Sequence, residues 1–264
     1  MLLSPQTSKE RDIRRNAANT LLEIYHHLNR AGTFSTGAFD LEIPGNWDLI
    51  HTDYGDFLVP KIDCSIDDAL NDIRTATEGT IFAECTNAAL IAKMALTNCF
   101  IEPAKKNVYN SEAFLQQHMS LLGQMARVSA FQFLHFEKVE DKRTVETGDY
   151  VYLRGHPKYT GLNPTGSDRG QNVYMVGYGV DNLRMYVGFG DFFKDGPKTA
   201  RQIQERLAED YISELRLRNE TADQATILGE IRAIPYSHAF LKVEEILSLQ
   251  AKPAKSAKRK AKKP

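Results

Sequence analysis

The chain has 264 residues, 42% hydrophobic, 25% charged and 9% aromatic, with one Trp, the make-up of a globular protein able to bury a sizeable core. Its three cysteines form no CxxC pair, which argues against a disulfide scaffold or a cysteine zinc site, and no apolar run reaches the roughly eighteen residues a membrane helix needs. The formal net charge of −1 hides an asymmetry: seven Lys and Arg fall within residues 251–264, so the rest of the chain carries −8.

In chain order, Ile13, Ala17, Leu21, Ile24 and Leu28 recur at helical spacing and predict an amphipathic helix over 8–30. Residues 31–60, rich in Gly, Pro, Asp and aromatics, predict irregular structure with short strands. Ser65-Ile66-Asp67-Asp68 is a capping signal for a short helix carrying Ile66, Ala69, Leu70 and Ile73, and Glu78-Gly79-Thr80 breaks the chain after it. Residues 82–100, FAECTNAALIAKMALTNCF, carry apolar residues on nearly every side with a single Lys, and predict a buried central helix. Another helix is expected over 111–128. The character then changes to strands over 148–153, 171–176 and 183–189, with a Gly/Pro/Asn/Ser-rich loop over 155–170 and a turn over 177–182. That pattern is an antiparallel meander. Helices over 198–217 and 223–232 follow, so the fold class is α+β with segregated elements.

The chain divides into a helical N-terminal extension (1–45), a main domain (46–250) and a basic tail (251–264). Ala, Lys and Pro offer the tail no apolar face, so it is expected to be disordered and solvated, without a specific nucleic-acid site. The polar N-terminus shows no signal peptide, which leads us to expect a cytoplasmic protein, or one exported without a cleavable signal. The histidines have no metal-site spacing, so no metal ligand is assigned.

Cys85 sits within a turn of the start of the buried helix. Unpaired amide N–H groups and the helix dipole favour a thiolate there and can hold an oxyanion formed when sulfur attacks an amide. Position alone supports equally a small buried hydrophobe. Cys64, before a helix cap, and Cys99, deep in the same helix, read as structural. Glu84 adjoins Cys85, but consecutive helix residues do not face each other, so it reads as readily as a complement to the helix N-terminus. His156, beside Pro157 in the loop, reads first as an exposed residue.

The segment Phe82-Ala83-Glu84-Cys85-Thr86-Asn87-Ala88 resembles the nucleophile motif of the bacterial spore-type protein-glutamine γ-glutamyltransferases (transglutaminases). Gly148-Asp149-Tyr150-Val151-Tyr152 is similar to that family's first sheet strand, Arg169-Gly170-Gln171-Asn172-Val173 to its R-G-E-N-V segment, and Gly188-Phe189-Gly190 to its G-L-G. Asn46-Trp47 and the short helix at 65–73 fall in corresponding places, so the likeness spans most of 46–232. The resemblance implies a papain-like (NlpC/P60-like) catalytic domain over 46–250. It implies Nε-(γ-glutamyl)lysine crosslinking by cysteine acyl transfer, with no cofactor and with protein partners offering Gln and Lys side chains. A spore-associated location is a further implication.

On the same resemblance Cys85 is the nucleophile and Glu84 and Gln171 are catalytic positions; Asn172, in the matched strand motif, and His156, in the loop outside it, are the substrate-binding candidates. Two positions depart from the family. Its carboxylate base is Gln171 here, and its histidine before G-L-G falls on Val187. A glutamine amide cannot accept a proton near neutral pH. Glu84, His156 and Asp191 are the candidates to replace the base. The alternatives are a papain-like thiol hydrolase (a glutamine deamidase or amidase, toxin-like) and an inactive homologue kept as a binding protein.

Overall fold

Helix α1 (Ser8–Ala31) begins where Thr7 closes a capping box: its hydroxyl accepts from Glu10 N at 3.2 Å, and the Glu10 carboxylate accepts from Thr7 N at 2.6 Å. Its buried stripe, Ile13, Ala17, Leu21, Ile24, Tyr25 and Leu28, follows the helical period read from the sequence. The computed structural model describes residues 7–34, 45–52, 55–61, 64–77, 81–83, 85–100, 136–139, 144–164, 169–244 and 246–247. The helix expected over 111–128, the tail at 251–264 and Glu84 lie outside these.

The chain leaves α1 through strand β1 (Gly32–Phe34), forms the hairpin β2 (Trp47–Thr52) and β3 (Gly55–Pro60), and enters helix α2 (Ile66–Thr75). Ser65 caps α2 by accepting from Asp68 N at 3.0 Å, as its sequence signals. Trp47 is buried and its indole N–H donates to the Ala69 carbonyl at 2.9 Å, tying the hairpin to α2. Strand β4 (Ile81–Ala83) pairs in parallel with β1, and helix α3 (Cys85–Phe100) follows. The sequence placed the start of this helix at 82. Pairing with β1 draws those residues into a strand, which puts Cys85 at the first position of the helix.

The main sheet has six strands in the order β5 (Phe136–Val139), β10 (Ser237–Leu241), β6 (Tyr150–Arg154), β7 (Gly170–Tyr178), β8 (Arg184–Gly188) and β9 (Lys198–Thr199), antiparallel throughout. The expected meander is β6–β7–β8. The loop at 155–170 contains one helical turn, Tyr159–Leu162. Helices α4 (Ala200–Leu217) and α5 (Gln224–Ala233) come between β9 and β10.

Two hydrophobic cores separate the layers. One holds α1, α2 and α3 against Tyr150, Tyr174, Val176, Val187, Phe189, Ala239 and Leu241 of the sheet region. The other packs Ile203, Leu207, Tyr211 and Leu215 of α4 and Ile227 and Ile231 of α5 on Val151, Leu153, Val173, Met175 and Tyr186. The alternation along β6, β7 and β8 is the period of two that a strand imposes. Among the described residues no helix is long and apolar enough to cross a membrane. The result is a mixed fold of helices and an antiparallel sheet, with α3 held on one face.

Candidate active site

Cys85 heads α3 and is 5% exposed. The first-turn amides of a helix have no acceptor within it, so their N–H groups and the positive end of the dipole favour a negative sulfur. The opposite wall comes from β7. Asn172 is buried there, and its side-chain amide donates from Nδ2 to Cys85 Sγ at 3.1 Å. The Tyr150 hydroxyl, one strand over on β6, donates to Asn172 Oδ1. A hydrogen bond given to the charged form of a group stabilises that form, so Asn172 adds to the helix terminus in favouring the thiolate.

Two more phenols pack behind this chain. Tyr174, next on the same face of β7, donates its hydroxyl to the Ala89 carbonyl at 3.1 Å and fixes the sheet to α3 one turn beyond Cys85. Its ring meets that of Tyr150 edge-on at 5.4 Å and that of Tyr25 from α1 at 6.2 Å. The Tyr25 hydroxyl is buried, with no hydrogen-bond partner among the described residues. Burial, then the neighbouring Tyr174, Tyr150 and Cys85, hold Tyr25 well above the usual phenol pKa. Burial likewise raises Tyr174. Both phenols are therefore neutral at any physiological pH. Further along α3, Lys93 is buried and desolvation brings its pKa down to about 6.

The sequence-based candidates fall in different places. Cys85 and Asn172 meet, though Asn172 lies on the sulfur where a substrate-binding role was expected. Gln171 alternates to the other face of β7, half-buried, with its Oε1 enclosed and without a hydrogen-bond partner among the described residues. His156 is not the exposed loop residue anticipated. It is 5% exposed, with Nε2 at 2.5 Å from Glu230 Oε2, Nδ1 accepting from Lys158 N at 3.2 Å, and its ring stacked on Tyr211 at 3.8 Å. These contacts are with the α4–α5 layer, across the sheet from Cys85. Asp191 is exposed and paired with Lys194 at 2.8 Å, and Val187 is an apolar part of the Cys85-side core. Glu84 lies outside the described residues. Cys99 is exposed rather than buried: Leu96 and Phe100 take the core-facing side of the last turn of α3, and Cys99 falls on the other side.

Sequence reasoning missed Tyr150, Tyr174 and Tyr25. Counting by twos from Asn172 finds Tyr174, and the helical period finds Tyr25 on the stripe of α1. The pairing of Tyr150 with Asn172 needs the strand register. Among the described residues no group of three or more His, Cys, Asp or Glu side chains is arranged to hold a metal ion.

The sequence matches no protein-family model and none of the curated proteins compared with it. In three dimensions the chain is similar to the transglutaminase from Geobacillus stearothermophilus (without its C-terminal extension), with a TM-score of 0.50 and 12% identity, covering 92% of this chain and 98% of that one. Matching at this level of identity speaks to backbone architecture, and it shows that the chain has a transglutaminase-like fold.

Proposed function

We propose that the chain is a protein-glutamine γ-glutamyltransferase that uses Cys85 as its nucleophile in a papain-like site. One observation carries the reading: a buried cysteine sulfur at the N-terminus of a helix receives an N–H hydrogen bond from across the site. The thiolate attacks the side-chain amide carbon of a substrate glutamine, and the first-turn amides of α3 hold the oxyanion. The C–N bond breaks, nitrogen takes a proton from solvent and leaves as ammonia, and a thioester remains. A neutral lysine amine then attacks the thioester, expels the thiolate, loses a proton to solvent and forms the isopeptide. The substrates are proteins presenting Gln and Lys side chains.

A second reading is favoured by the identity of the group on the sulfur. Asn172 carries an amide, which cannot take the proton that an incoming lysine ammonium must lose. Water is already neutral and gives up its proton to solvent only as it attacks, and the product is then a deamidated glutamine. Incubating the protein with a glutamine-containing protein, with and without a primary amine, separates the cases by mass spectrometry. Amine incorporation dependent on Cys85 supports transfer. The mass change of deamidation without incorporation supports hydrolysis. No change with either acceptor sinks both and leaves the binding-protein alternative.

A further inference from the structure

The Asn172 amide can face Cys85 in either of two ways. With nitrogen toward sulfur it donates and favours the thiolate. With oxygen toward sulfur it accepts from S–H and favours the thiol. The two ends differ by a rotation of half a turn, so whatever grips the far end of the amide decides the protonation state. In this structure that grip is the Tyr150 hydroxyl, donating to Oδ1. Tyr150 is buried, and its ring is braced edge-on by Tyr174, which is itself tied to α3 through the Ala89 carbonyl. The phenol is therefore held in place independently of the amide it binds.

We propose that Tyr150 is a positioning residue: its O–H fixes the Asn172 amide with nitrogen toward Cys85, and so holds the cysteine as a thiolate. This deepens the acyl-transfer reading, which needs a thiolate, and it names the pair that supplies one where the sequence offers no carboxylate in the strand motif.

The titratable groups around the sulfur, among the described residues, are the phenols of Tyr25 (α1), Tyr150 (β6) and Tyr174 (β7). On α3 itself Lys93 lies two turns on, about 12 Å along the axis, and Glu84 adjoins Cys85 in sequence. From β8 and α2 the packed residues, Val187, Ala69, Leu70 and Ile73, carry no charge. Apart from Tyr150 itself, these groups are all still present when its hydroxyl is removed, so their effects are common to both variants.

The test is the pH profile of Cys85 alkylation by iodoacetamide, read on the Cys85 peptide by mass spectrometry in the full chain. Tyr150→Phe keeps the ring and is expected to slow alkylation about three- to tenfold on the acid limb, moving the profile to higher pH. Asn172→Leu is expected to do at least as much, and Tyr150→Phe is expected to add nothing in that background. If Asn172→Leu does not fold, Asn172→Ala takes its place. Tyr211→Phe removes a phenol from the far layer and is expected to leave the profile where it was. A Tyr150→Phe profile that stays put or moves to lower pH overturns the proposal, since the latter means that the thiol donates to Oδ1. A shift that persists in full without the Asn172 amide overturns it as well. Alkylation needs no glutamine substrate, so a protein that fails to incorporate amine still reports on Tyr150.

Discussion

Strand β7 sends Asn172, Tyr174 and Val176 toward α3, and Val173 and Met175 toward α4 and α5, and the two sides bury different chemistry. On the α3 side a phenol and an amide form a hydrogen-bonded chain that ends at sulfur, and the Tyr174 phenol beside it ties the strand to the Ala89 carbonyl of α3. On the α4–α5 side the strand contributes aliphatic packing, and the polar pair found there, His156 with Glu230, opens outward, with the Glu230 side chain 53% exposed. Buried polar groups are costly unless hydrogen-bonded. On the α3 side Tyr150, Asn172 and Tyr174 each have a hydrogen-bond partner, which also fixes their orientation, while the Tyr25 hydroxyl behind them has none among the described residues. The far side has no such constraint and serves as the stabilising layer.

The sharpest separation of the two sides comes from Cys85→Ala. It is expected to abolish amine incorporation and deamidation, a loss of about a thousandfold or more, while urea denaturation shows only a small change in stability. Leu207→Ala is the converse. Leu207 is 1% exposed in the α4 layer, so truncation is expected to cost about 2–5 kcal/mol. The alkylation rate of Cys85 in the protein that remains folded should equal that of the wild type. A Leu207→Ala protein that is stable but alkylated slowly would break the division between the layers.

How far this division is legible in the sequence depends on what carries each part. The buried stripe of α1, the Ser65 cap and the all-round apolar α3 are local signals, and the elements stand where the periodicity places them. The strand motif Gln171-Asn172 shows the limit. Motif likeness drew attention to Gln171, but which of two adjacent residues faces the helix is decided by register, and only pairing with β6 and β8 fixes it. Tyr150 against Asn172 is likewise a contact between strands. Strand β10 was missed because its partners, β5 and β6, lie far back in the chain, and Ser237-His238-Ala239-Phe240-Leu241 alternates too weakly to stand out. His156 sits in a loop rich in turn residues, and its burial depends on α4 and α5 closing over it.

Asp149 offers a test at the seam where α1 meets the sheet. Its side chain is fully buried, accepting from Glu146 N at 2.9 Å and Leu241 N at 3.0 Å and facing Arg14 at 3.4 Å. Burial outweighs these partners and raises its pKa from 3.8 to about 6. The folded state therefore binds the proton more tightly than the unfolded chain does. The stability this contributes is fully present below 3.8 and is lost as pH rises to about 6. Relative to Asp149→Asn, the wild type should gain stability as pH is lowered from 7 to 4. A difference between the two that does not vary with pH would mean that Arg14 and the two amides hold Asp149 ionised throughout.

The smallest effect probes whether the phenols of the α3 side position or stabilise. Tyr174→Phe keeps the packed ring and removes one hydrogen bond, that to the Ala89 carbonyl. That carbonyl also serves as an acceptor within α3, so it is not left orphaned, and the expected loss is about 0.5–1.5 kcal/mol by urea denaturation. This is well below the cost of Leu207→Ala, although Tyr174 is just as buried. What the hydroxyl does hold is the spacing between β7 and the first turns of α3, on which the Asn172–Sγ contact depends. A modest slowing of Cys85 alkylation, out of proportion to the lost stability, is therefore expected. A loss above about 3 kcal/mol with unchanged alkylation would show that Tyr174 acts as a packing residue, like those of the far layer, and does not position the site.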